Sequence, residues 1–394
     1  MRNVLGVITD SGQPNPAVFG GHWNATARAL YFGQQLEDET LLWIPCLMHA
    51  MSNLGTRLRK AFAPVKSFMS GYKKMSNTSE AARALWKVEC KAECPRLADK
   101  SFWKWWDCAR AVLHCWRHVG AFLKIATQRG IATKSVAKML DAFGKPELKI
   151  QLEFCISAGM PFHHTGFLLE CDGFALPFAQ GRLSIISEWC VAWQHQRLDH
   201  PTILAAMHTA AESGVRGALL EDLKKALLNT ALMVVANFER AVNFEMSSLL
   251  PLYRAAGLLH PARYLWEQEK VEFSGILHSC VDTLTRLKGI GDRASLKAQL
   301  LGEHPEYLRA AKEWKASVGS EPGADTPSRL WEWWRSLACR LPAWFSVAKI
   351  LVLLQPSSAA IERFYSLVKA NSYDTQGAES QETLASRCMA LYNT

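Results

Sequence analysis

The signature motifs of several common enzyme families are missing from this sequence. It contains no GxxxxGK[ST], GxGxxG, GxSxG or HExxH pattern. These patterns carry nucleotide hydrolysis, dinucleotide binding, serine hydrolysis and zinc-dependent proteolysis, respectively. None of these four activities therefore has support in the sequence.

Long apolar runs, a leader peptide and a regular cysteine framework are also lacking. The stretch AWFSVAKILVLL at 343–354 is short and carries Lys349, so we expect no membrane insertion. The opening MRNVLGVITDSG does not have the form of a signal peptide. Because the 11 cysteines follow no repeating spacing, we expect an intracellular protein with reduced, buried thiols.

The overall composition is typical of a folded, soluble protein. The 394 residues are 49% hydrophobic and 21% charged, and the length predicts two or three domains. The formal charge of +9 permits phosphate contacts without requiring them. The basic stretch 56–66 is either a solvated helix face or, through Arg57, Arg59 and Lys60, a contact surface for DNA.

Strand signals are confined to the first part of the chain. VLGVIT at 4–9 ends at Asp10, before a stretch rich in turn-forming residues. LLWIP at 41–45 predicts a second strand, which leads into a helix beginning near Cys46.

Beyond residue 65 the spacing of apolar residues is mostly helical. Two stretches interrupt this pattern, the loop-like LLECDGFALPFAQG at 168–181 and the polar VGSEPGADTPSR at 318–329. We therefore predict a predominantly helical chain, in which an α/β unit is split by a large all-helical insertion. The predicted segments are 1–65, 66–328 and 329–394.

Two acidic residues lie where a metal ligand would be well positioned. Asp10 ends the first predicted strand, and a rigid strand fixes the position of its side chain. Glu362 lies about 100° from the apolar stripe of a predicted helix and is out of register for a capping box. The alternatives are that Asp10 initiates a turn and that Glu362 only complements the helix dipole.

Cys46 and His49 form a CxxH pair on one face of the predicted helix. A structural zinc site needs four ligands, and no second pair with suitable spacing is present. We expect no zinc, and we interpret Cys46 and His49 as a structural pair inside the fold.

Tryptophan is concentrated near residues 103–116 and again near 331–334. Trp103 lies beside Lys104, and such a pair can stack on an unpaired base. The alternative is that Trp103 and Trp106, which share a helical face, anchor the core.

Several stretches resemble, in order, segments of the hAT superfamily of DNA transposases. VITDSGQPN resembles the strand-plus-acid segment, IPCLMHAMSNL the CxxH motif, and PFHHTGFLLECDGFALPF part of the helical insertion. LPAWFSVAKILVLLQPSSAAIERFYSLV resembles the C-terminal signature, and LASRCMALYNT is similar to the end of that region. Where some family members have Glu-Gly-Asp-Gly, this chain has Glu170-Cys171-Asp172-Gly173.

The resemblance implies an RNase H-like core, split by a helical insertion, in a nuclear protein. It implies that Asp10 and Glu362 are two of three carboxylates that hold Mg²⁺ for DNA strand cleavage and transfer. It also implies a homodimer or larger self-assembly through the C-terminal region, and contact with DNA. The candidate residues for self-association are Phe364, Tyr365, Leu367 and Leu391, and those for DNA binding are Arg57, Arg59, Lys60, Trp103 and Arg363.

The sequence departs from the family pattern at its start. The first family aspartate lies on an earlier strand, and only nine residues precede Asp10. We therefore expect a partial core without its first strands, weak or absent Mg²⁺ binding, and no full transposition activity. The alternatives are a fragment of an active transposase and an intracellular helical scaffold protein.

Overall fold

Helices make up most of the chain in the computed structural model, which describes residues 6–9, 42–97, 102–170, 173–287, 292–318 and 325–356. The prediction of a predominantly helical protein is therefore confirmed. The helices are α1 Leu47–Ala61, α2 Ala63–Thr78, α3 Glu80–Cys90, α4 Phe102–His114, α5 Trp116–Gln128, α6 Thr133–Phe143, α7 Leu148–Leu169, α8 Leu176–Gln196, α9 Pro201–Glu212, α10 Ala218–Arg240, α11 Leu250–Gly257, α12 Pro261–Gln268, α13 Phe273–Leu284, α14 Arg293–Gly302, α15 His304–Val318, α16 Pro327–Ser336 and α17 Pro342–Leu351.

The two apolar runs near the N-terminus form the two strands that their β-branched residues predict. β1 spans Gly6–Thr9 and β2 spans Leu42–Pro45. They pair in parallel, with Gly6 opposite Leu42 and Thr9 opposite Pro45. Both strands therefore end at the same edge of the sheet.

Prolines and N-caps define several of the helix boundaries. Pro64 occupies the first turn of α2, where its missing N–H costs nothing. The side chain of Ser79 accepts a hydrogen bond from the Ala82 N–H and thereby caps α3. Thr326 caps α16 in the same way, through the Arg329 N–H.

Some helix boundaries differ from those that periodicity predicts. The structure continues the helical region through α2, although its polar residues at 73–78 weaken the apolar pattern. The helical spacing of apolar residues over 98–126 is continuous, but the structure divides this segment at Cys115 into α4 and α5. The predicted loop at 168–181 is shorter, because α7 runs through Pro161 to Leu169 and α8 begins at Leu176.

The chain divides into two compact units. The first contains the described residues of Met1–Ala50, Leu168–Leu183 and Asn243–Thr394, and the second contains Met51–Phe167 and Ser184–Val242. The predicted boundaries of the helical insertion, at residues 65 and 328, stay a prediction.

Each unit has an aromatic core. In the first unit, Trp334 and Trp344 are fully buried against Tyr307, and both indole N–H groups donate to backbone carbonyls. In the second unit, Trp86 is fully buried between Tyr72 and Phe122 in edge-to-face contacts. Such pairs stabilise a core beyond the free energy of apolar burial alone.

The thiols are buried, as the sequence predicts. Among the described cysteines only Cys339 is exposed, and eight others are buried and free of disulfides. Burial raises the pKa of Cys90 to about 12, and it also raises the pKa of Cys155. Within the described ranges, no helix combines the length and apolarity needed to cross a membrane.

Candidate functional site

The first unit brings distant parts of the chain together where the two strands end. Thr9 and Pro45 are register partners at that edge, and α1 begins two residues after Pro45. The Leu47 N–H donates a 2.9 Å hydrogen bond to the carbonyl oxygen of Pro356. This bond joins the start of α1 to a residue more than 300 positions away in sequence.

The segment around Gly173 reaches the same place. The Gln355 side-chain amide donates to the Gly173 carbonyl oxygen at 3.1 Å. The Phe174 N–H donates to the Pro327 carbonyl oxygen at 3.0 Å. The start of α1, Gly173, Pro327 and residues 355–356 are thus linked by hydrogen bonds. We call this group the strand-end junction.

Gly173 is suited to the junction because it has no Cβ. Its φ is +106°, a region that L residues with side chains rarely adopt. A Cβ at this position would lie 2.6 Å from the Ser328 backbone nitrogen. Only glycine therefore allows this close approach of two backbones.

Cys46 and His49 form the local pair that their spacing predicts. The His49 Nδ1 lies 3.2 Å from the Cys46 Sγ, and Cys46 is fully buried. Tyr253 is also fully buried, and its pKa is raised by burial and, to a lesser degree, by the nearby Cys46 thiol. The CxxH motif thus packs inside the first unit, next to the residue that bonds Pro356.

Most of the predicted catalytic and self-association residues lie outside the described part of the chain. Asp10 directly follows β1 in sequence, and Glu362 comes six residues after Pro356. Trp103 is a residue of α4, but its side chain also lies outside the described set. The predicted residues outside the described set are Asp10, Glu362, Arg363, Phe364, Tyr365, Leu367 and Leu391.

The described candidates for DNA binding lie on α1, in the second unit. Arg57 and Lys60 line a cleft of about 480 Å³. Arg59 does not line it; this side chain is half-buried, and desolvation lowers the pKa of its guanidinium. The structure therefore separates the three basic residues into a pair that lines the cleft and one that does not.

Two uncharged polar residues and two apolar residues complete the lining of the cleft. Asn53, Thr56 and Ala61 line it from α1, and Met233 lines it from α10. Asn53, Thr56, Arg57 and Lys60 recur at helical spacing and share one face of α1.

The described residues do not offer a ready metal site. Among them, no group of three or more His, Cys, Asp or Glu side chains is arranged to hold a metal ion. The predicted magnesium ligands, Asp10 and Glu362, lie outside the described residues.

Trp106 favours the core interpretation. Trp106 is 3% exposed, and its indole N–H donates to the Ile156 carbonyl oxygen at 2.9 Å. His163 stacks on its ring with centroids 4.0 Å apart. Trp106 therefore anchors the packing of α4 against α7.

Sequence reasoning did not identify Gln355, Pro327 or the cleft wall at Met233. Gly173 and Gln355 carried a weak signal, because each lies in a stretch that resembles a family segment. Met233 carried none, since its role arises only from contacts with distant parts of the chain.

The sequence matches no model of a known protein family, and no curated protein matches it.

Proposed function

We propose that this chain derives from a hAT transposase and that its present function is self-association through its C-terminal region, together with DNA binding in the nucleus. In this proposal the two strands and the segment beyond Pro356 belong to an RNase H-like core.

The observation that supports the proposal most directly is the hydrogen bond between the Leu47 N–H and the Pro356 carbonyl. A split core requires the two ends of the chain to meet across the insertion. Parallel pairing of β1 with β2 adds support, because an RNase H-like core contains adjacent parallel strands.

The scaffold alternative would be the better account if residues 1–60 and 336–394 lay far apart. Leu47 and Pro356 belong to these two segments, and they are hydrogen-bonded within one unit. We therefore prefer the transposase-derived interpretation.

The proposal concerns binding and not DNA strand transfer. The family resemblance implies three carboxylates, and it assigns two of them in this sequence, Asp10 and Glu362. Self-association and contact with DNA do not depend on a third carboxylate.

Self-association is tested by size-exclusion chromatography with light scattering on the wild type and the Phe364→Asp variant. The wild type should have at least twice the 44.1 kDa mass of the chain. Phe364→Asp should shift the mass toward that of the monomer, because a charge in an apolar interface is costly.

Phe167→Asp is the matched control, because Phe167 is 66% exposed on α7. This variant should keep the mass of the wild type. A wild type that is monomeric at all concentrations would contradict the proposal.

A further inference from the structure

The cleft in the second unit is bordered by a part of the chain without negative charge. Residues 40–79 contain six Lys or Arg residues and no Asp or Glu. Arg57 and Lys60 are both exposed on the cleft-lining face of α1. No described carboxylate forms an ion pair with either of them.

The facing wall is similarly free of acids. From 223 to 238, α10 contains no Asp or Glu, and Met233 lies within this stretch. The next acid along the helix, Glu239, accepts a 2.6 Å hydrogen bond from the Gln194 side chain of α8. Asp222 lies eleven residues before Met233, about 16 Å along the helix axis.

Among the described residues, neither Arg57 nor Lys60 therefore has a carboxylate partner. Surface Lys and Arg residues often pair with carboxylates at i+3 or i+4, and such partners are missing on this face. An uncompensated pair beside a concave surface attracts anions, because the positive potential of the two side chains adds.

The spacing of the polar groups fits a repeating anion. Arg57 and Lys60 are three residues apart, about 4.5 Å along the helix axis. Residues three apart on a helix are neighbours on its surface, with Cβ atoms about 5–6 Å apart, so both long side chains can reach consecutive phosphates of one strand. Thr56 and Asn53, on the same face, supply neutral donors of the kind that commonly contact phosphate oxygens.

We propose that this cleft binds the phosphodiester backbone of a nucleic acid, with Arg57 and Lys60 contacting neighbouring phosphates and Thr56 and Asn53 donating to their oxygens. The inference rests on the proposed function for the expectation that the partner is DNA. The contacts are independent of base sequence, because the cleft offers charge and donors along a backbone.

The test measures the affinity for labelled duplex DNA and duplex RNA of random sequence between about 50 and 200 mM salt. It compares the wild type with the double variant Arg57→Gln/Lys60→Gln. Each lost phosphate contact lowers the salt slope by about 0.9, so the double variant should lose about 1.8. At 0.1 M salt the affinity should fall by roughly tenfold to sixtyfold.

Lys124→Gln/Arg129→Gln is the matched control, because both residues are exposed in the same unit and the change in net charge is identical. It should leave the slope and affinity close to those of the wild type. Thermal unfolding of both variants should match that of the wild type, since the four substituted side chains are exposed.

A second pair of variants tests the facing wall while keeping both basic residues of the cleft. Met233→Glu places an acid in the cleft and should weaken binding severalfold. Met160→Glu makes the same change at an exposed methionine of α7 and should not.

Binding to DNA, RNA or both, with these losses, supports the inference and identifies the nucleic acid. Equal losses in the cleft and control pairs, or no binding to either duplex, would overturn it. A monomeric wild type that still shows the slope difference would contradict only the proposed self-association.

Discussion

At the scale of single residues, Gly173 carries the most specific constraint in the first unit. Its positive φ and its close approach to Ser328 coincide at one position. Either condition alone disfavours a side chain, and their combination leaves no low-energy rearrangement.

We expect Gly173→Ala to lower the free energy of unfolding by about 2–4 kcal/mol, because it adds both backbone strain and a steric overlap. Urea denaturation of the two proteins measures the difference. Gly181→Ala is the control: Gly181 lies within α8, and a Cβ there has no atom within 4 Å.

The control should stabilise the protein by about 0.5–1 kcal/mol, because alanine favours a helix more than glycine does. If Gly173→Ala did not lower the free energy of unfolding, this result would contradict the close approach of the two backbones at the strand-end junction.

At the scale of elements, α17 depends on a side chain from another part of the chain. Its own N-cap residue, Leu341, forms no side-chain cap. Instead the Glu303 carboxylate, which follows α14, accepts from the Ala343 N–H at 3.0 Å and from the Trp344 N–H at 3.3 Å. A negative charge there also complements the helix dipole.

We expect Glu303→Ala to lower the free energy of unfolding by about 1–2 kcal/mol, since two N–H groups beside the buried Trp344 lose their acceptor. Denaturant unfolding measures this loss. The exposed Glu332 on α16 provides the control, and Glu332→Ala should change stability by less than about 0.5 kcal/mol. A loss of the same size in both variants would show that Glu303 does not cap α17.

The helix boundaries show which local sequence signals are sufficient to predict where a helix begins or ends. Proline and serine predict the starts of helices, as at Pro64 and Ser79, because their effects act within one turn. The break at Cys115 has no such signal in its neighbours. It separates α4 from α5 within a continuous helical pattern, so periodicity alone merges the two helices.

At the scale of the whole molecule, the bond between Leu47 and Pro356 joins two parts of the chain that are distant in sequence. Asp10 follows Thr9, the last residue of β1, and Glu362 comes six residues after Pro356. The proposed function therefore predicts that position 362 lies near the ends of the two strands.

Photo-crosslinking tests this expectation directly. With benzoylphenylalanine at position 362, irradiation should yield crosslinks to peptides containing residues 6–10 or 45–49 within the monomer band. Mass spectrometry of that band identifies the partners. The same protein irradiated in denaturing urea is the control and should lose these crosslinks.

Crosslinks from position 362 only to other parts of the chain would contradict the RNase H-like arrangement. The bond between the Leu47 N–H and the Pro356 carbonyl would then not be accompanied by a shared carboxylate site.

The sequence by itself determined the predominance of helices, the two strands and the Cys46–His49 pair, because these depend on short-range periodicity and spacing. It also indicated buried thiols and a tryptophan-rich core, since burial follows from apolar side chains. The meeting of Leu47, Gly173 and Pro356, and the acid-free cleft between Arg57 and Met233, were decided only by the tertiary structure. Those contacts join residues more than 100 positions apart, and no local pattern specifies which distant segments will pack together.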